Sequence, residues 1–249
     1  LKILLTGATG FVGKAVNENL KEYTVNLISR NAPIEFSDNF YIKTISSSED
    51  FTDCLEDVDV VIHTAARVHQ MNDQSSDSMF DYIETNCSGT LNLARQAVKS
   101  GVKRFIFIST IKVNGEKTTK GSPFRFDDPR NGSDSYSLSK SKAEQGLIRI
   151  SKESKLEVTI IRPPLVYGPG VQANFKSLMV LAKKNLPLPL GNIENKRSFV
   201  SIKNLVDLIL TCINHPKAAN QVFLVSDDYD LSTAELVIKI TEALERSPD

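Results

Sequence analysis

The chain has 249 residues, 41% of them hydrophobic, and its 30 Lys and Arg balance 30 Asp and Glu. That length buries a sizeable core, as one large domain or one domain plus a small lobe, and zero net charge excludes the broad basic footprint of a nucleic-acid binder. No apolar run reaches membrane-spanning length, residues 1–5 are too short for a secretory signal core, and Cys54, Cys87 and Cys212 match no disulfide framework or metal-ligand spacing. A cytoplasmic protein with buried free thiols is expected, with no metal, membrane or nucleic-acid partner. The first residue is Leu, already inside the first expected strand, so a trimmed or processed chain is expected.

The opening apolar run, Lys2-Ile3-Leu4-Leu5-Thr6, reads as a buried strand, and Gly7, Gly10 and Gly13 follow it at intervals of three. A helix-like pattern comes next, over 11–20. Such a turn lets backbone pass close to a diphosphate, and the helix end offers unpaired N–H groups to the anion. The spacing is G-x-x-G-x-x-G and not the usual G-x-G-x-x-G, so alone it also fits a plain strand–helix turn. A second strand at 24–28 ends in Ser29-Arg30-Asn31, with no Asp or Glu. An acidic residue there would hold the ribose 2′-OH of NAD, whereas Arg suits the 2′-phosphate of NADP. NADP(H) is therefore favoured and NAD(H) is the alternative; Arg30 reads otherwise as a solvated loop charge.

A third strand is expected at 41–45 and a short helix at 48–55. The run 58–63 is a buried strand ending in the small residues Thr64, Ala65 and Ala66, where a flat cofactor could approach. His63 reads as a satisfied core histidine and His69 is ambiguous. A long amphipathic helix covers 79–99, with Asn86 inside it and Gly101 as its stop. The strand 104–108 ends at Ser109-Thr110. Alternating strands and helices of this kind predict a doubly wound parallel α/β sheet, with ligands beyond the strands' carboxyl ends.

After the polar loop 111–134, Tyr136 and Lys140 lie four apart on one face of a helix running to about 154. An ammonium beside a phenol favours the phenolate, so Lys140 is expected to draw the Tyr136 pKa down and make it a general acid/base. A strand follows at 157–161. Then Pro163, Pro164, Gly168 and Gly170 mark the exit into a smaller lobe, with helices expected at 174–183, 205–214 and 233–244, a segment at 186–190, and strands at 198–202 and 222–225. The division expected is 1–165 for a Rossmann domain and 166–249 for the lobe, cut short at its C-terminus if the chain is trimmed there.

Taken together, Thr6–Gly13, His63–Ala66, Asn86 with Gly89-Thr90, Ser109-Thr110, Tyr136 with Lys140, and Arg162 with 166–169 resemble the extended short-chain dehydrogenase/reductases that modify nucleotide sugars. The nearest resemblance is to UDP-sugar 4-epimerase-like proteins and UDP-4-keto-6-deoxy-N-acetylhexosamine 4-reductases. The resemblance implies that Gly7, Gly10, Phe11, Val12, Gly13, Ser29, Arg30, Ala65, Ala66, Lys140 and Pro163 bind the cofactor. It implies that Thr110 binds the sugar C4 oxygen, that Tyr136 moves its proton, and that Lys140 holds the nicotinamide ribose. Asn174 and Arg197 would hold the diphosphate of a UDP-sugar, and a homodimer through the helices 79–99 and 135–154 is implied.

Two departures bear on the sugar pocket: Val113-Asn114-Gly115 stands where the family has V-Y-G, and Leu165 where it often has Asn. The leading expectation is an NADP(H)-dependent reductase at C4 of a UDP-4-keto-hexosamine, feeding surface polysaccharide synthesis. The alternative is an NAD-dependent UDP-sugar 4-epimerase, and a non-catalytic NADP-binding sensor is a distant third. Dehydration usually needs an acidic residue beside the Ser/Thr, where this chain has Ile111 and Lys112.

Overall fold

The computed structural model describes residues 1–31, 39–68, 79–171, 175, 179–180 and 195–245. Seven parallel strands form one sheet: β1 (Lys2–Thr6), β2 (Thr24–Ser29), β3 (Phe40–Ile42), β4 (Val60–His63), β5 (Arg104–Ile108), β6 (Glu157–Arg162) and β9 (Val222–Leu224), in the spatial order β3-β2-β1-β4-β5-β6-β9. The order runs one way from β1 to β3 and the other way from β1 through β4, so the switch point lies between β1 and β4, at the glycine turn.

The strands read as nearly continuous apolar runs because each face feeds a different core. Leu4, Val61, Phe105 and Phe107 pack under α3 (Thr90–Lys99) and α4 (Ser135–Glu153). Ile3, Leu5, Ile62 and Ile106 pack under α1 (Phe11–Glu18) and α5 (Ile202–Asn214). Cys54, Cys87 and Cys212 are buried free thiols, as expected.

Most elements fall where the residue pattern puts them, within a few positions. The expected helix at 48–55 is only a 3-10 turn, Asp53–Leu55, because Asp50 and Asp53 side chains bond the neighbouring backbone amides in place of a helical ladder. A strand the pattern did not announce, β7 (Leu165–Tyr167), pairs in parallel with β8 (Phe199–Ser201) as a separate two-stranded sheet. Beside it Phe199, Leu231 and Leu236, the last in α6 (Thr233–Glu245), form a small third cluster with Tyr167 and Phe175. After this excursion the chain returns to the main sheet through α5 and β9, so position 165 does not divide the sheet itself. Of the helix expected at 174–183, residues 175, 179 and 180 are described and are helical, and the segment 186–190 lies outside the described residues.

At Gly13 a Cβ would sit 2.1 Å from the Gly7 carbonyl oxygen, and at Gly7, with φ +72°, 2.7 Å from the Ala65 nitrogen. Turn, helix and the end of β4 can meet only without side chains at these two places. Gly13→Ala is therefore expected to lose about 2–3 kcal/mol or more in urea unfolding, whereas Gly101→Ala, where nothing lies within 4 Å, loses about 1 kcal/mol. Equal losses at the two positions would contradict this packing.

Candidate active site

The site lies beyond the carboxyl ends of β1, β4, β5 and β6. Gly7 and Ala8 spend their N–H groups on the Ile28 carbonyl at 3.0 and 3.3 Å, which fastens the turn to the end of β2. Gly10 then stands at the N-cap of α1 with no side-chain cap, and Lys14 is the first amide to find an intrahelical acceptor, at 2.8 Å. The N–H groups of Phe11, Val12 and Gly13, in the first turn, have no intrahelical acceptor. Ser29 is buried and its hydroxyl lies 2.8 Å from Thr9 Oγ1, while Arg30 is exposed immediately beyond it. Ala65 and Ala66 follow β4, and Pro163, buried, accepts from the Ile111 N–H at 2.9 Å.

His63 is a core residue, as expected, and its proton can be placed. Thr90 Oγ1 donates to the Asn86 carbonyl at 2.9 Å, so it accepts from His63 Nε2 at 2.9 Å. Burial holds the His63 pKa down to about 3, with the Lys140 ammonium adding to the effect, so the ring is neutral. Its Nδ1 must then accept from Thr6 Oγ1 at 2.6 Å. The relay ends on Asn86, in a π-helical stretch (Glu84–Gly89) between α2 (Met79–Ile83) and α3. The Asn86 side chain accepts from the Arg67 N–H at 2.7 Å and donates to the Arg67 carbonyl and to Ser139 Oγ, each at 3.0 Å. Ser139 Oγ in turn donates to the Tyr136 carbonyl at 2.7 Å. Asn86, Arg67 and Ser139 carry the link between the β4 loop and α4, and sequence reasoning gave none of them a site role. A buried asparagine inside an amphipathic helix was the available signal.

Ser109 and Thr110 end β5 side by side but face different fates. Ser109 Oγ donates to the buried Glu144 carboxylate at 2.6 Å, whereas Thr110 Oγ1 makes only a 3.3 Å capping contact with the Lys112 N–H. Of the two hydroxyls, that of Thr110 is the one left available. Lys112 reaches Asp134 at 2.6 Å, and Asp134 caps α4 by accepting from the Ser137 N–H at 2.6 Å, so the turn after Thr110 is tied to the helix that carries Tyr136 and Lys140.

Here one expectation is corrected. Lys140 does not draw the Tyr136 phenol down; burial, then Asp134 and Tyr82, push it up to about 12. Lys140 is buried as well. The residue is 1% exposed, and its ammonium sits 4.1 Å from the centre of the Phe107 ring with no hydrogen-bond partner among the described residues. Burial pushes its pKa down to about 7 against a smaller upward effect of Glu144. Of the remaining expected residues, Arg197 is exposed and its backbone bridges to Leu231, and Asn174 and His69 lie outside the described residues.

The NAD dependent epimerase/dehydratase family matches residues 3–226. The chain belongs to that family. It is thus an NAD(P)-dependent enzyme of the nucleotide-sugar epimerase/dehydratase kind. It is 54% identical over 250 residues to a UDP-glucose 4-epimerase of Vibrio cholerae, covering 98% of this chain and 76% of that protein. A 4-epimerase of Escherichia coli O157:H7 acting on N-acetyl-alpha-D-glucosaminyl-diphospho-ditrans,octacis-undecaprenol is 26% identical over 247 residues, 98% of this chain and 72% of its own. Among solved structures, UDP-glucose 4-epimerase of Thermotoga maritima with UDP-glucose has TM-score 0.82 and 25% identity, covering 100% of this chain and 84% of that one. UDP-glucuronic acid 4-epimerase of Bacillus cereus in complex with NAD has TM-score 0.85, covers 99% and 85%, and at 23% identity shares the fold.

This chain's own residues fit a dinucleotide. Whereas Gly7 and Gly13 are pinned by packing, a Cβ on Gly10 would meet only one atom within 4 Å, the Gly7 carbonyl oxygen at 3.2 Å, so that backbone is open to a ligand. Lys140 Nζ, buried and unpaired, is a donor awaiting an acceptor. Among the described residues no group of His, Cys, Asp and Glu is arranged to hold a metal ion, and no helix is long and apolar enough to cross a membrane.

Lys140 gives a test that needs no ligand. Below about pH 7 the lysine is charged in both folded and unfolded chains and the full desolvation penalty applies; between about pH 7 and 10.5 only the unfolded chain holds the proton, so stability rises with pH. Lys140→Met is expected to raise the melting temperature at about pH 6, with a gain that shrinks by about pH 9. A gain independent of pH would contradict the buried ammonium.

Proposed function

We propose that the chain is an NAD-dependent UDP-hexose 4-epimerase of the UDP-glucose/UDP-galactose type. The observation that carries this reading is the 54% identity to the Vibrio cholerae UDP-glucose 4-epimerase across nearly the whole chain. The sequence alone put a reductase first and the epimerase second; the relatives favour the second.

In this reading the first-turn N–H groups of Phe11, Val12 and Gly13 bind the pyrophosphate, with Gly10 leaving room for it. Lys140 donates to the nicotinamide ribose hydroxyls, which keeps its ammonium charged. Ala65, Ala66 and Pro163 line the path of the cofactor. A nicotinamide held there would supply the reversible hydride chemistry at sugar C4. Thr110 holds the C4 oxygen, Tyr136 takes the hydroxyl proton as the ketone forms and gives it back after the sugar has turned. Burial keeps the Tyr136 phenol protonated at rest, and the charged Lys140 would supply the field that favours its phenolate for the outward step. The exposed Arg197 suits a diphosphate oxygen, and the lobe after 165 would carry that contact. A homodimer through α2–α3 and α4 belongs to the same reading, with Phe80, 73% exposed at the start of α2, as a side chain such an interface would cover.

Ser29-Arg30 favours a second reading, an NADP(H)-dependent 4-keto-sugar reductase, because no carboxylate stands at the end of β2 to repel a 2′-phosphate. The two separate on cofactor. Protein as purified is expected to carry NAD and, once stripped, to bind NADH at least as tightly as NADPH in a fluorescence titration. An NADPH preference of about one to two decades, the worth of a charge-assisted phosphate contact, would move the reading to the reductase. Tyr136→Phe is expected to lower turnover about a hundredfold or more, and unchanged turnover would remove Tyr136 from the chemistry.

A further inference from the structure

We propose that Asn114 is a positioning residue: it moors the loop 111–134 to a buried ion pair and thereby holds Thr110 in register with Tyr136 and Lys140. The inference rests on the reading of Thr110 as the hydroxyl that holds the substrate oxygen.

Asn114 replaces the tyrosine of the V-Y-G pattern, which suggested a sugar pocket lacking one ring. The structure turns position 114 inward instead. Asn114 is 3% exposed and both ends of its amide are used: Oδ1 accepts from Arg162 Nη1 at 2.9 Å and Nδ2 donates to the Arg125 carbonyl at 2.7 Å. Arg162 Nη1 also donates to the Phe126 carbonyl at 3.2 Å, so two consecutive carbonyls of the loop are held from beneath. The rest of the guanidinium is bidentate on Glu144, Nε to Oε1 at 2.9 Å and Nη2 to Oε2 at 2.6 Å, with both groups buried. Glu144 sits one helical turn beyond Lys140 on α4, and its carboxylate also takes Ser109 Oγ at 2.6 Å and Arg130 Nε at 3.3 Å.

One buried pair thus grips both ends of the short arch that carries Thr110. Ser109 is fixed through Glu144, and Asn114 through Arg162. Between them the Thr110 hydroxyl has only its long contact with the Lys112 amide, so its direction depends on where the arch is held. The chemistry of the hub calls for an amide. An Asp of the same shape would still accept from Arg162 but would set its second oxygen against the Arg125 carbonyl, and a Leu or Ala could do neither.

The test is a double-mutant cycle in the holoenzyme between Asn114 and Thr110, read as kcat for UDP-glucose and UDP-galactose interconversion, with hydrogen exchange over 124–131. Asn114→Ala and Asn114→Asp are each expected to lower kcat roughly tenfold in the native background, about the worth of one hydrogen bond, and to speed exchange in that segment. In a Thr110→Ala background the same changes are expected to cost less than about twofold, since the hydroxyl they aim is gone. Equal losses in both backgrounds, or unchanged exchange, would overturn the proposal and leave the reading of Thr110 intact. A Thr110→Ala variant with native kcat would instead overturn that reading, and this proposal with it. Asn114→Asp keeps the acceptor for Arg162, so it serves if Asn114→Ala does not fold.

Discussion

The Asn86 side chain is the joint on which the site is assembled. A parallel sheet places the glycine turn, the loop after β4 and the start of α4 near one another, but it does not fix their relative heights to within a hydrogen bond. Asn86 does so by holding the backbone N–H and carbonyl of Arg67, in the loop that leaves β4, and the hydroxyl of Ser139 on α4. Behind it Thr90, His63 and Thr6 carry the connection back to the end of β1. Every donor in that relay has an acceptor, which is the condition under which a buried polar network adds rigidity and does not cost stability. The π-helical stretch around Asn86 widens the helix at that joint, as such interruptions often do at functional sites.

A second buried network does the corresponding work around Thr110. Arg162 and Glu144 are an ion pair with almost no access to water, and a pair so placed offsets its desolvation only when its remaining hydrogen bonds are satisfied. Here Ser109, Asn114, Arg130 and the Phe126 carbonyl supply them. The two networks leave Thr110 and Lys140 with polar atoms that the protein itself barely uses. Polar groups kept short of partners inside an otherwise satisfied surrounding are what a cofactor and a substrate can bind.

The fold was legible because its signals are local. The apolar runs of β1, β4 and β5, the glycine spacing and the four-residue step from Tyr136 to Lys140 are read without knowing what lies across the sheet. The placing of Thr110, Tyr136 and Lys140 at one end of the sheet was legible, but their electrostatics were not: the fall expected for Tyr136 counted only a neighbouring ammonium, whereas Lys140 is buried against Phe107 and Tyr136 is desolvated. Asn114 shows the same limit. Its difference from the family pattern was visible, but that it turns inward to Arg162, 48 positions away, is a long-range fact. The strand β7 escaped notice because two prolines precede it and its partner lies 34 positions on, Leu165 pairing with Phe199.

Thr110, Tyr136 and Lys140 would serve a reductase as well as an epimerase, and what separates the two is the fate of the hydride. An epimerase returns the same hydride to the carbon that gave it up. The most direct measurement is therefore to convert UDP-glucose carrying deuterium at C4 and to follow the product by NMR. The expected product is UDP-galactose that keeps the deuterium at C4, with no free cofactor consumed. Loss of the label, or turnover that requires stoichiometric NADPH, would contradict the epimerase reading.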